Sequence, residues 1–178
     1  MSLPHHTHPG HALAALLSSL SLALGLAGPA AADDDERGMP RPVPPAYSSE
    51  CGSCHLAFPP GALPAASWKH IMAGLDKHYG SNASLDDATR RQLDTWLQTH
   101  AGTWKRVGEA PPEDRITRSA WFQRKHRHIR DAVWTHASVK RPANCSACHP
   151  GAERGDFDDD HLKIPPGLPL HLRWAWFD

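Results

Sequence analysis

A chain of 178 residues with 19 basic and 19 acidic side chains carries no net charge to offer a polyanion, which removes nucleic acid from its expected partners. Seventeen prolines and thirteen glycines leave little room for long regular elements, and strand signals are scarce. The length allows one compact domain or two small halves.

Residues 1–32 read as a signal peptide. Ala12 to Ala27 is an apolar run broken only by serines and one glycine, and Ala30 and Ala32 are the small residues that suit cleavage before Asp33. A membrane span needs about 20 strongly apolar residues, and this run falls short. Its leading segment has no Lys or Arg, so an uncleaved anchor is the alternative. Export to the periplasm is the expectation. Residues 33–46 place acids first and then four prolines, the pattern of a disordered or extended lead-in.

The next stretch, residues 47–101, opens with Cys51-Gly52-Ser53-Cys54-His55. The remaining two cysteines recur in the same arrangement, Cys145-Ser146-Ala147-Cys148-His149, so none is left over. Two thiols three residues apart can each add to a vinyl group of one porphyrin, and the adjoining imidazole then sits under the iron as proximal ligand. Zinc knuckles and redox disulfides also use Cys-x-x-Cys, but neither needs a His directly after the second Cys, and the two pairs are too far apart for a zinc ribbon. Two covalent c-type haems are the expectation, on Cys51 and Cys54 with His55, and on Cys145 and Cys148 with His149.

After the first motif, Pro64 can start a helix running to about Tyr79, with Gly80 as its stop. Trp68, Ile71, Met72, Leu75 and Tyr79 form its apolar stripe; His78 borders that stripe, whereas His70 lies with Lys69 and Lys77. Ser84 and Asp87 resemble a capping arrangement for a second helix that ends near His100. Residues 102–112 form a linker. Residues 113–178 make a second haem half and a tail, with a third helix from about Ala120 to Trp134. There Phe122, His126, Ile129 and Val133 recur on one face, with His128 among basic residues on another. His136 has compatible spacing from Val133 but falls past the expected helix end. Short helices are expected to carry both motifs, so the fold class is mainly α, with short helices and long irregular segments packed around two haems.

The second axial ligand decides what such a site does, because methionine raises the potential relative to histidine and an open position admits small molecules. After residue 32 the chain has only Met39, in the lead-in, and Met72, which reads as core. Histidine is the better supply. Imidazole inside an apolar stripe costs free energy unless paired, which singles out His126. His78 and His100 both lie on apolar faces, and both remain candidates for the first haem. His55 to His78 and His126 to His149 span the same 23 residues, a hint that each half closes over its own haem, although a crossed arrangement fits the sequence too.

The chain resembles the small bacterial dihaem cytochromes c encoded beside oxygen-binding class I cytochromes and membrane cytochromes b. The resemblance runs from about Glu50 to Pro166. It rests on the run from Glu50 through Cys51, Cys54 and His55 to Gly61, on Gly74 to Leu85 around His78, on Arg115 to Phe122 with His126 after it, and on Asn144 to His149 before Gly151 to Gly155. It implies two haems with bis-histidine, low-spin coordination, His78 and His126 being the residues that match the distal ligands. It also implies periplasmic electron transfer rather than enzyme activity. A membrane cytochrome b or other quinol-linked donor and an oxygen-binding class I cytochrome c as acceptor are the implied partners. Arg124, Lys125, Arg127 and Arg130 could steer an acidic partner. A dihaem peroxidase or reductase, or a haem-based sensor with a displaceable ligand, is the rival reading. The tail after Pro166, ending in Leu170 to Asp178 with Trp174 and Trp176, lies outside the resemblance.

Overall fold

The computed structural model describes Met1, residues 39–104 and residues 107–174. The expected signal peptide, the first part of the lead-in and Trp176 lie outside the described residues. Among those described, no helix is long and apolar enough to cross a membrane.

The architecture is helical, as composition suggested. Among the described residues, four α-helices, α1 (Ala65–Ala73), α2 (Asp87–Thr99), α3 (Ala120–Lys125) and α4 (Asp131–Trp134), are joined by single 3-10 turns and irregular chain. The described residues contain no strand, only one isolated bridge between His78 and Ser81.

α1 and α2 pack together over the first core, in which Leu63, Trp68, Met72, Leu93 and Leu97 close around Tyr47. Leu93 and Leu97 lie one turn apart on α2, so a single apolar stripe faces α1. Asp86, rather than Ser84 or Asp87, caps α2: its side chain accepts from the amides of Ala88 and Thr89, each at 3.0 Å. The described end of the lead-in is not free chain. Met39, Val43 and Ala46 pack against this core, and Tyr47–Cys51 forms one π-helical turn that ends on the first motif cysteine.

Residues 58–62 are held with unusual firmness. The carbonyl of Phe58 accepts from the Tyr47 hydroxyl, that of Pro60 from Trp68 Nε1 at 2.7 Å, and that of Ala62 from Trp121 Nε1 at 3.2 Å. Gly102 passes this segment so closely that a Cβ there would run into the Gly61 carbonyl oxygen. Because Trp121 belongs to α3, its hydrogen bond ties the second half onto the first. A second core, smaller, gathers Val133, Val139, Leu168 and Leu172.

Two helices are shorter than the sequence periodicity implied. The first stops at Ala73 on a Gly74 cap and gives way to a 3-10 turn at Leu75–Lys77, so His78 is not on a helix at all. The third is broken: α3 ends with His126 as its C-cap, and α4 starts five residues later. In both cases a glycine or a cluster of polar and basic residues interrupts a stripe whose apolar spacing alone would have continued.

Candidate haem sites

In the first half, Cys54 and His55 follow the π-helical turn, and the His55 ring lies 6.0 Å from that of His78, with planes 21° apart. His55 Nδ1 donates to the Leu56 carbonyl at 2.7 Å, which fixes the tautomer and leaves Nε2 free as a ligand atom. Phe58 lies against the same imidazole, ring centres 5.1 Å apart. His100 does not join this group. It caps α2, is exposed, donates from Nδ1 to the Trp96 carbonyl at 2.8 Å and packs on the Trp96 ring.

In the second half, Cys145–Ala147 is a 3-10 turn, and the His149 amide donates to the Cys145 carbonyl at 2.8 Å. The His149 ring lies 6.3 Å from His126, at 71°. His126 is anchored twice to one acceptor, because both its amide (3.0 Å) and its ring Nδ1 (2.9 Å) donate to the Phe122 carbonyl. Its ring stacks on Phe122 at 4.1 Å and lies 5.7 Å from Trp134, so the orientation is fixed by packing as well. His128 is exposed, and His136 pairs with the Ser138 hydroxyl at 2.8 Å instead.

The donor set suits a haem. Two imidazoles sharing one metal ion, with metal–nitrogen bonds of about 2.0–2.1 Å and about 1.2 Å from each nitrogen to its ring centre, would have centroids up to about 6.4 Å apart. The two pairs, at 6.0 Å and 6.3 Å, lie within that reach. Around the second pair is a cavity of about 650 Å³, within the range of cofactor pockets, lined by Cys145, Cys148, His149, His126, Phe122 and Trp134. His149 Nδ1 is buried with no hydrogen-bond partner among the described residues, a costly state that marks the site as built for something more than packing. Burial holds His78, His126 and His149 below the ordinary imidazole range, with the facing imidazole a second cause for His78 and His149; all three are therefore neutral at physiological pH, as ligation requires.

The alternatives to haem find no geometry here. No three His, Cys, Asp or Glu among the described residues converge as a metal cluster, so the two cysteine pairs do not build a common zinc site. None of the four cysteines is disulfide-bonded. Burial pushes Cys51 and Cys145 up to about 11. The thiolate is the nucleophile, so in haem-free protein near pH 8 these two should alkylate on the order of a hundredfold more slowly than a solvated cysteine. The rate should climb about tenfold per pH unit towards 11. Peptide mass spectrometry after timed iodoacetamide treatment checks this; rates equal to a free thiol would mean the two sites are open to water.

A dihaem cytochrome c family model matches residues 47–157, more than half of the chain and both motifs. The chain belongs to the dihaem cytochrome c family. This dihaem cytochrome c therefore carries two c-type haems and is an electron-transfer haem protein. Three solved structures are similar to it. A dihaem cytochrome c from Shewanella baltica OS155 is 38% identical over 71% of this chain and 97% of its own, with a TM-score of 0.62. Two structures of the dihaem cytochrome c from Rhodobacter sphaeroides are 37% and 38% identical, each over 65% of this chain and 97% of theirs, with TM-scores of 0.58 and 0.56. No curated protein matches the chain.

Several residues at the sites were assigned no place there by local sequence pattern. Phe58, Pro59 and Ala62, from the first half, line the second cavity, and so does Met39 from the lead-in. Phe157 lies 5.5 Å from the His149 ring. Windowed periodicity does not register such contacts because each joins distant segments. Trp174 is exposed.

Proposed function

We propose that this dihaem cytochrome c is exported to the periplasm, ligates each iron with two imidazoles, and shuttles electrons at low potential between a membrane donor and a small soluble haem protein. In this reading His55 pairs with His78, and His149 with His126. The observation that carries it is the two imidazole pairs at ligation spacing, 6.0 Å and 6.3 Å between ring centres. Each bound haem supplies an iron that can gain and lose one electron. The chain does the rest: the Leu56 and Phe122 carbonyls fix the tautomers of His55 and His126, burial keeps His78, His126 and His149 neutral, and with two imidazoles held for each iron a redox change would need little rearrangement. Histidine rather than methionine at that position favours a low potential. Phe58 packs on His55 and also lines the second cavity, so it would stand between the two haems when both are bound.

A membrane cytochrome b or another quinol-linked component is the donor in this scheme, and an oxygen-binding class I cytochrome c the acceptor. Docking is brief, through a small patch. Arg124, Arg127 and Arg130 are exposed and can steer an acidic partner, while Lys125 is tied to Asp159 at 2.9 Å.

The oxidised holoprotein is expected to be wholly low-spin, with two distinct EPR signals. Near-parallel imidazole planes act on one iron d orbital and split the π pair, whereas planes near 71° act on different orbitals and leave the pair close in energy. The first site should give an ordinary rhombic signal and the second a strongly anisotropic one. A high-spin signal at rest, or rapid CO binding by the ferrous form, would favour a peroxidase, a reductase or a haem sensor. His78→Ala should turn about half of the haem absorbance high-spin, because one iron of two loses its strong-field ligand. If the spectrum stayed low-spin and His100→Ala gave the shift, the ligand role would pass to His100.

A further inference from the structure

The two distal histidines are held in opposite ways. His126 is locked from within, by the Phe122 carbonyl and by stacking on Phe122. His78 has no such anchor. It follows a 3-10 turn, is half-buried, and neither ring nitrogen has a hydrogen-bond partner among the described residues. Its orientation depends on the residues beside it, above all Tyr79, whose ring meets it edge-on at 4.8 Å.

Tyr79 is an odd residue for its place. It sits at φ 49°, a left-handed conformation that a bulky aromatic rarely adopts, and it is 44% exposed, outside both cores. Such a conformation persists only where the surroundings over-determine it. Here they do so from the other half of the chain. The Tyr79 hydroxyl donates to the Glu113 carbonyl at 2.9 Å, and the Arg115 guanidinium lies over the Tyr79 ring at 4.3 Å. Glu113 and Asp114 are themselves at φ 56° and 53°. The Glu113 carboxylate receives Arg115 Nε at 2.9 Å and Arg118 at 2.8 Å, and His70 on α1 lies 3.5 Å from Asp114. Two strained turns thus grip one another across 34 residues, immediately next to His78.

We propose that Tyr79, Glu113 and Arg115 form a clasp that positions His78, so that the sixth position of the first haem is kept closed by a contact from the second half. The clasp deepens the ligation scheme above and rests on His78 being the distal ligand. Without it, Tyr79 would relax towards negative φ and carry the neighbouring imidazole away. The first haem, not the second, would then exchange its distal ligand.

The test is CO binding to the ferrous holoprotein by stopped flow, with haem content and far-UV circular dichroism checked first. Tyr79→Ala should bind CO at one haem per chain at least tenfold faster than the wild type. Arg115→Ala should give a smaller increase. Tyr79→Phe, which keeps the ring against Arg115 and His78 but loses the hydroxyl, should recover most of the wild-type behaviour. Arg115 is exposed, so if Tyr79→Ala fails to accumulate as holoprotein, Arg115→Ala carries the test alone. His78→Ala separates the two ideas. If it leaves the first haem closed, the ligand scheme fails; if it opens that haem while Tyr79→Ala and Arg115→Ala exchange at the wild-type rate, the clasp fails and the ligand scheme stands.

Discussion

Replacing Cys51 and Cys54 together by Ala should remove one covalent haem and leave the other in place. Each motif supplies both thioethers for a single porphyrin, so no cysteine is shared between the sites. The second site keeps its own attachment residues, its two histidines and its cavity. It does borrow a wall from the first half, at Phe58, Pro59 and Ala62. That wall is held by hydrogen bonds from Tyr47, Trp68 and Trp121, none of which involves a cysteine. The first core, with Leu93 and Leu97 fully buried between the helices, does not include the two thiols among its closed residues either. Intact-mass spectrometry should therefore fall from two haems per chain to one, with the spectrum of the second site retained. Loss of both haems would show that the shared wall needs the first porphyrin to form. Retention of both would overturn attachment at this motif.

Composition and local pattern revealed the attachment chemistry and the fold class, because both are encoded within a few residues. Cys-x-x-Cys-His is self-contained, and scarce strand signals with frequent Pro and Gly lead directly to short helices. The histidines that face His55 and His149 were harder. His126 came from a stripe that assumed one helix from Ala120 to Trp134; the helix in fact ends at Lys125. The inference reached a residue in the site because the relation between Phe122 and His126 needs only one turn, and that turn exists, closed by the Phe122 carbonyl. The part of the stripe beyond it, Ile129 and Val133, belongs to a separate segment and to the second core.

For His78 the stripe carried less. Its spacing from Ile71 and Leu75 presumed helix up to Tyr79, yet α1 stops at Ala73, and the approach to His55 comes from the Gly74 cap and the 3-10 turn after it. Tyr79 beside it is in contact with Glu113 and Arg115, which no sequence window centred on His78 contains. The same reason hid Phe58 and Met39 from view: their importance lies in a neighbour far along the chain. Helix caps were legible to within a few residues, with Asp86 in place of Ser84 and Asp87, since several acceptors near a helix start compete for the same amides.

His126→Met should keep the second haem bound and raise its potential, while His128→Met leaves both potentials nearly unchanged. The covalent attachment through Cys145 and Cys148 and the proximal His149 are untouched by the change. A thioether stabilises the ferrous iron relative to an imidazole, and axial-ligand choice moves haem potentials over a span of about 0.8 V, so a rise on the order of 0.1–0.2 V is expected. Geometry permits the exchange. The side chain at 126 is packed between Phe122 and Trp134, and methionine is flexible and suits contact with aromatic rings. It cannot replace the hydrogen bond from the imidazole to the Phe122 carbonyl, so some loosening of the site should accompany the shift. His128 is two residues on, exposed, and makes no contact with His149 among those described, which makes it a sound control. A spectroelectrochemical titration reads both haems at once. One wave should move up and the other stay. A shift produced by His128→Met and absent from His126→Met would mean that the break after Lys125 presents a different imidazole to the iron.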